Sequence, residues 1–172
     1  MKRLTVVILF FIVSLLPLNI VKADYVLPYP SYLPGNKLYQ LSLLLDKLEN
    51  FWYWGNIAQF KYHLKLADKY LVEAKTLFEY EQYLLAVRAL GRSDREFKQI
   101  LPDLTKADKQ GEDISQLKTM FSAASLKHIA VLTALAVQVP QIFVWTPEKN
   151  APTTLKLGQL LKNSIEIRKN DF

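Results

Sequence analysis

Two histidines, His63 and His128, are the only side chains in this 172-residue chain that ordinarily titrate near neutral pH, and cysteine is absent. Disulfides, thiolate chemistry, cysteine-bound zinc and lipid attachment to cysteine are therefore excluded. A metal or acid–base site would have to recruit the histidines or rest on carboxylates alone. On a helix, ligand partners stand three or four residues away. Around His63 those positions hold Gln59, Phe60, Leu66 and Ala67; around His128 they hold Ala124, Ser125, Val131 and Leu132. Neither the Glu-x-x-His pattern of carboxylate bundles nor the paired histidines of metalloproteases is present. One arrangement could still bind a metal: His63 and His128 brought together across two helices with Asp68 or Asp94. No nucleophile elbow, phosphate loop, dinucleotide loop or calcium loop occurs. The acidic pairs Glu112–Asp113 and Glu79–Glu81 sit at turns, where acids favour helix starts. No catalytic, cofactor-binding or metal residue is assigned, and no cofactor is expected.

What must position any site is a set of helices. Asn56 to Phe78 carries apolar residues at Ile57, Phe60, Leu64, Ala67, Leu71, Ala74 and Phe78. The steps alternate three and four, which draws one seam down a helix of about six turns. Its small residues Ala67 and Ala74 admit a neighbouring helix closely, and a helix of this kind is stable only when that seam is covered. Upstream, Asn36 suits the N-cap of a helix from Lys37 to Tyr53 whose apolar face is Leu38, Leu41, Leu44 or Leu45, and Leu48. Phe51, Trp52, Tyr53 and Trp54 follow in an unbroken run and point in every direction on a helix. A tight corner closing at Gly55 is expected there, with Asn56 capping the next helix. These four rings either close the bundle end or remain exposed as a contact with a partner or a membrane interface.

A third helix is predicted from Gln82 to Leu101, patterned by Tyr83, Val87, Leu90, Asp94, Phe97, Leu101 and Leu104, with a kink or restart at Pro102. Asp94 breaks the seam, and a boundary position reaching solvent or Arg95 is expected for it. Gly111 stops the chain, and Asp113 with Gln116 resembles a capping box opening a fourth helix. Its seam is Ile114, Leu117, Phe121, Ala124, His128, Val131 and Leu135. As the most apolar helix it is expected to be central. Pro140 ends it. Phe143 and Trp145 should then pack back on the core, and Pro152 should open a last helix from Thr153 to Lys169, whose end frays in the tail RKNDF from Arg168.

Residues 1–23 read as a secretory signal peptide, with Lys2 and Arg3, an apolar run, and Val21 and Ala23 before a cut at Asp24. An uncleaved anchor is the competing reading, because Leu4 to Val21 offers about 18 mostly apolar residues. Residues 24–36, with three prolines, form an extended arm, and residues 37–170 form the bundle domain. Export outside the cytoplasmic membrane, free or anchored, is the expected location. The net charge of +6 shrinks once Lys2, Arg3 and Lys22 leave with the leader, since 22 − 3 = 19 basic residues then face 16 acidic ones. Lys61, Lys65 and Lys69, flanked by Asp68 and Glu73, read as a solvated helix stripe. Nucleic-acid binding is not indicated. Membrane contact is expected only through a retained leader. The fold class is all-α, an antiparallel bundle of four to five helices.

The blocks FKYHLKLADKYLVEAKTL, ALGRSDREFKQILPDLTKA, ISQLKTMFSAASLKHIAVL and VWTPEKNAPTTLKLGQLL, preceded by LPYPSYLPGNKLYQL, resemble a family of secreted bacterial helical domains catalogued only as a domain of unknown function. The resemblance spans residues 25–168 and implies an exported helical bundle, with no catalytic or ligand residues to carry over. The corner FWYWGN departs from that family, being more aromatic and less acidic than its usual turn. The function expected is a non-enzymatic interaction or structural module with a protein partner in the envelope or outside the cell, contacted through Phe51, Trp52, Tyr53 and Trp54. The alternative is a bundle that holds an apolar or metal ligand between helices.

Overall fold

The computed structural model describes residues 25–170. The signal-peptide expectation for residues 1–23 lies outside the described residues, as do Asp171 and Phe172. Among the described residues there are five helices and one small hairpin: α1 (Tyr39–Glu49), continued by a 3-10 turn (Asn50–Trp52), α2 (Asn56–Glu79), α3 (Tyr83–Lys109), α4 (Ser115–Gln138), β1 (Phe143–Trp145), β2 (Thr153–Leu155) and α5 (Leu157–Asn170). The architecture is the expected all-α bundle.

The seam predicted for α2 is the core seam. Phe60, Ala67, Leu71 and Ala74 are completely buried, and Leu64 and Phe78 nearly so. Across from it α3 presents Ala86, Ala89 and Ser93, all fully buried, so the two helices approach closely. The Ser93 hydroxyl donates to the Ala67 carbonyl at 2.8 Å. Close approach at small residues is what the Ala67 and Ala74 positions required. Two large apolar clusters result, beside a small third of Tyr62, Leu66 and Tyr70 on which Leu43 and Tyr53 pack. One joins Leu71, Phe78, Leu90, Leu132, Leu157 and Leu161; the other joins Phe60, Phe97, Ile100, Leu104 and Phe121. The arm lies against both, through Leu27 and Leu33 on the first and Tyr25 on the second.

Several boundaries differ from the sequence expectation. Gly55, at φ 85°, is itself the N-cap of α2, and the Asn56 side chain instead donates to Gln110 at 2.7 Å. Helix α3 runs through Pro102 without restarting. The carbonyl that Pro102 leaves without a donor belongs to Lys98, and both residues are exposed, so solvent can take it. Gly111, at φ 77°, closes α3 as expected, with Glu112 N–H returning to the Ala107 carbonyl. Asp113 receives the Ser115 backbone N–H at 3.0 Å and opens α4 by a local turn.

Helix α4 is not the central one. It buries seven residues where α2 buries thirteen, and it leaves Leu126 and Val137 in solvent. Its apolar character alone makes it, among the described residues, the one helix long and apolar enough to cross a membrane. Thr153 to Leu155 form a strand instead of opening the last helix. Phe143, Val144 and Trp145 pair antiparallel with Leu155, Thr154 and Thr153, since β-branched and aromatic residues suit a pleated pair. Phe143 packs on the core against Tyr83, with ring centroids 4.7 Å apart; Trp145 stays exposed. The last turn of α5 is not frayed at Arg168, which is completely buried.

Replacing Leu71 by Ala removes a fully buried side chain from the α2 seam, and urea unfolding should report a loss of about 2–5 kcal/mol. A loss below about 1 kcal/mol would contradict the packing described for that seam.

Candidate functional site

Helix α1 docks on the bundle by its polar face. Tyr39 and Asp46 are its buried residues, and they stand seven apart on one side. The Asp46 carboxylate accepts from Lys69 Nζ at 2.7 and 2.6 Å and from the Tyr70 hydroxyl at 3.1 Å, while its backbone carbonyl accepts from Tyr62 at 2.8 Å. Lys69 also reaches Ser42. Two turns earlier, the Tyr39 hydroxyl donates to Glu73 at 2.7 Å, and Arg92 donates to the same carboxylate oxygen at 2.6 Å. Burial holds the Glu73 carboxyl above its usual range, against the pull of Tyr39 and Arg92, and burial with Glu73 nearby pushes the Tyr39 hydroxyl up to about 12. The lysine stripe of α2 is therefore solvated at Lys61 and Lys65 but not at Lys69 or the flanking acids. Lys69 is tied to Asp46, Lys65 pairs with Glu49 at 2.5 Å, Asp68 and Glu73 are buried, and only Lys61 points to solvent without a charged partner among the described residues.

The consequence lies on the opposite side of α1. Leu38, Leu41, Leu44, Leu45 and Leu48, the face expected to pack, are 41–55% exposed. At 100° per residue they span an arc of about 120° pointing away from Tyr39 and Asp46. The reason is energetic competition within one short helix. Turning the leucines inward would strip Asp46 and Tyr39 of their buried partners, and a carboxylate without its lysine is the costlier loss.

The aromatic corner continues this face. Phe51, Trp52 and Trp54 are 72%, 77% and 84% exposed. Tyr53 turns inward instead, its ring 5.3 Å from that of Tyr62, and Gln59 Nε2 holds the corner by donating to the Tyr53 carbonyl at 2.6 Å and to Asn50 at 3.1 Å. Three of the four expected contact residues are thus displayed, and one closes the bundle. The leucine face of α1 is the part of the display that periodicity found but placed on the wrong side.

A second constellation is buried. Asp68 on α2 receives Tyr25 OH at 2.5 Å on one oxygen and His128 Nε2 at 2.7 Å on the other. His128 Nδ1 accepts from Arg168 Nε at 3.2 Å, which fixes the neutral tautomer with the proton on Nε2. Arg168 continues to Asp94 at 2.5 Å, Ser93 at 2.9 Å and the Ser164 carbonyl at 2.8 Å, and stacks over the Phe97 ring. Asp94 also accepts from Ser164 at 2.7 Å. Its partners are Arg168 and Ser164, not Arg95. Burial lowers the His128 pKa, the nearby Arg168 cation lowers it further, and the Asp68 contact pulls the other way. With both ring nitrogens engaged and the imidazole fully buried, His128 has no lone pair to offer a substrate or a metal.

His63 does not join it. Its Nδ1 meets Glu96 at 2.8 Å, and its Nε2 lies 3.6 Å from buried Asp103. The two histidines thus bind different carboxylates, and neither Asp68 nor Asp94 reaches His63. Among the described residues no group of three or more histidine and carboxylate side chains is placed to hold a metal ion. Glu96 and Asp103 stand 33 and 40 residues from His63 on another helix, so no local spacing could announce them.

Because folded His128 is neutral with a lowered pKa while the unfolded histidine titrates near 6.5, the unfolded chain binds more protons below that pH. Stability should fall as the pH drops from about 6.5, with a slope reaching about 1.4 kcal/mol per pH unit. His128→Gln, whose amide can donate to Asp68 and accept from Arg168 without titrating, should flatten the urea midpoint between pH 7 and 5.5. A wild-type midpoint that stays constant over that interval would refute the neutral assignment. No protein-family model, curated protein or solved structure matches this chain.

Proposed function

We propose that this chain is an exported, non-enzymatic interaction module that docks through the outward face of α1 and the adjoining aromatic corner. The observation that carries the reading is the inversion of α1. A helix bound by its polar side leaves five leucines, Phe51, Trp52 and Trp54 in solvent, and a contiguous apolar display of this kind is costly unless something covers it. Export rests on the leader composition of residues 1–23, and the resemblance to secreted helical domains belongs to the same proposal. The occupied ring nitrogens of His128 support the non-enzymatic part.

A second reading, an apolar ligand between helices, has one observation in its favour. A cleft of about 360 Å³ opens between α3 and α4, lined by Leu101, Leu104, Ile114 and Phe121, with Lys118 and Asp108 among its polar residues. The α1 face is the larger and more exposed apolar surface, and it takes precedence.

The test is site-specific crosslinking in expressing cells. A photoreactive residue at Leu45 or Trp52 should give a defined crosslinked species, while the same residue at exposed Lys162 on α5 should not. Leu41→Ser with Leu48→Ser should reduce that species at least tenfold and leave the unfolding midpoint within about 0.5 kcal/mol of wild type. Equal labelling from both faces would remove the docking role from α1.

A further inference from the structure

We infer that the outward face of α1 seats on the surface of an anionic lipid bilayer, the helix lying in the interfacial plane with Phe51, Trp52 and Trp54 among the headgroups. This rests on α1 being the docking surface and names what it docks to. Charge is the first argument. The two acids of α1 are both neutralised from α2, Asp46 by Lys69 and Glu49 by Lys65. Lys37 and Lys47 are exposed and make no ion pair among the described residues, so the charge left at the helix is positive. A leucine and tryptophan face beside unpaired lysines is the composition of a helix that lies in a bilayer interface. Indole rings such as those of Trp52 and Trp54 favour that depth because each joins an apolar body to a polar N–H, and the Phe51 phenyl adds apolar area beside them.

Length and connection are the second argument. An 11-residue helix presents about 16 Å of seam, roughly three turns, whereas a stable coiled coil with a second copy needs a seam of several heptads. Upstream, the apolar run of residues 4–21 is joined to α1 by the arm that begins at Tyr25. Seventeen residues from Lys22 to Leu38 reach at most about 60 Å, so a retained leader would hold α1 within that distance of the bilayer, and a cleaved one would release it at a membrane surface.

The test uses the full chain in the processed form that intact mass defines, mixed with vesicles of phosphatidylcholine containing phosphatidylglycerol. Tryptophan emission should shift to the blue, and brominated lipids should quench it. Both readouts report Trp52 and Trp54, with a fixed background from Trp145 that a Trp145→Phe variant removes. Leu41→Ser, Leu45→Ser and Leu48→Ser combined should abolish the shift, with circular dichroism and the unfolding midpoint unchanged. Lys37→Gln with Lys47→Gln should weaken binding on the order of tenfold or more, and omitting phosphatidylglycerol should do the same. A shift that persists in the triple leucine variant would overturn the proposal, because binding would then run through another surface. Absence of any shift would overturn it too. In that case a concentration-dependent dimer lost in the triple variant would identify a second copy as the occupant, and a protein crosslinked from Leu45 would leave the docking role standing with a protein partner. Failure of both vesicle binding and crosslinking would remove the docking role itself.

Discussion

The buried guanidinium of Arg168 is the constraint on which the bundle depends. It contributes a permanent charge to a site with no solvent access, and such a charge is tolerated only when its donors are spent on well-placed acceptors. Asp94 supplies the opposite charge from α3, Ser93 and the Ser164 carbonyl take further donors, and His128 Nδ1 takes Nε–H. That last bond decides the histidine tautomer, which in turn lets Nε2–H satisfy Asp68. One cation therefore sets the protonation pattern along a chain crossing α5, α3, α4 and α2. Any of these helices displaced by an ångström or two would strand a polar group in the interior, so the apolar clusters on either side inherit a fixed register.

Tyr25 ends this chain from the other direction. Its hydroxyl donates to Asp68, and burial raises its pKa, the Asp68 charge adding to the effect, so it serves as a neutral donor throughout the physiological range. The arm and the final turn of α5 thus close on opposite ends of the same four-residue relay. Helix α1 has no member in it. Its attachments run instead to Lys69, Tyr70, Glu73 and Arg92, a separate polar cluster on the outer side of α2 and α3.

This division explains what could be read from the chain and what could not. Seams of α2 and α4 were legible because burial there is apolar and local in sequence, so a period of 3.6 residues reports it directly. That of α3 was legible only at Leu90, Phe97 and Leu104, since Leu101 is exposed and the small residues Ala86, Ala89 and Ser93 are buried instead. Gly111 was legible because a positive φ favours glycine. Periodicity also found the leucines of α1 but carried no information about which way they face. Orientation was decided by the side chains of Asp46 and Tyr39, whose partners on α2 lie between 23 and 34 residues away. Arg168 was hidden for the same reason. On a terminal turn an arginine ordinarily reads as solvated, and only the meeting of Asp94, Ser93 and His128 gives it a buried place. Thr153 to Leu155 was misread because their strand partner, not their own helix propensity, fixes their state.

Two polar systems with separate memberships have a mechanical corollary. The core relay fixes how α2 to α5 pack and sets where the pH acts, whereas the α1 cluster fixes only how a leucine face is held outward. Because α1 is secured by charge pairs, hydroxyls and the packing of Leu43 on Tyr62, Leu66 and Tyr70, its five outward leucines stay outside the interior clusters and are available for contact without reorganising the bundle. The same surface on a helix docked by leucines would have to tear out of the core before it could bind anything. Here the display exists in the folded state, so binding would incur neither that opening cost nor a change in the register set by Arg168.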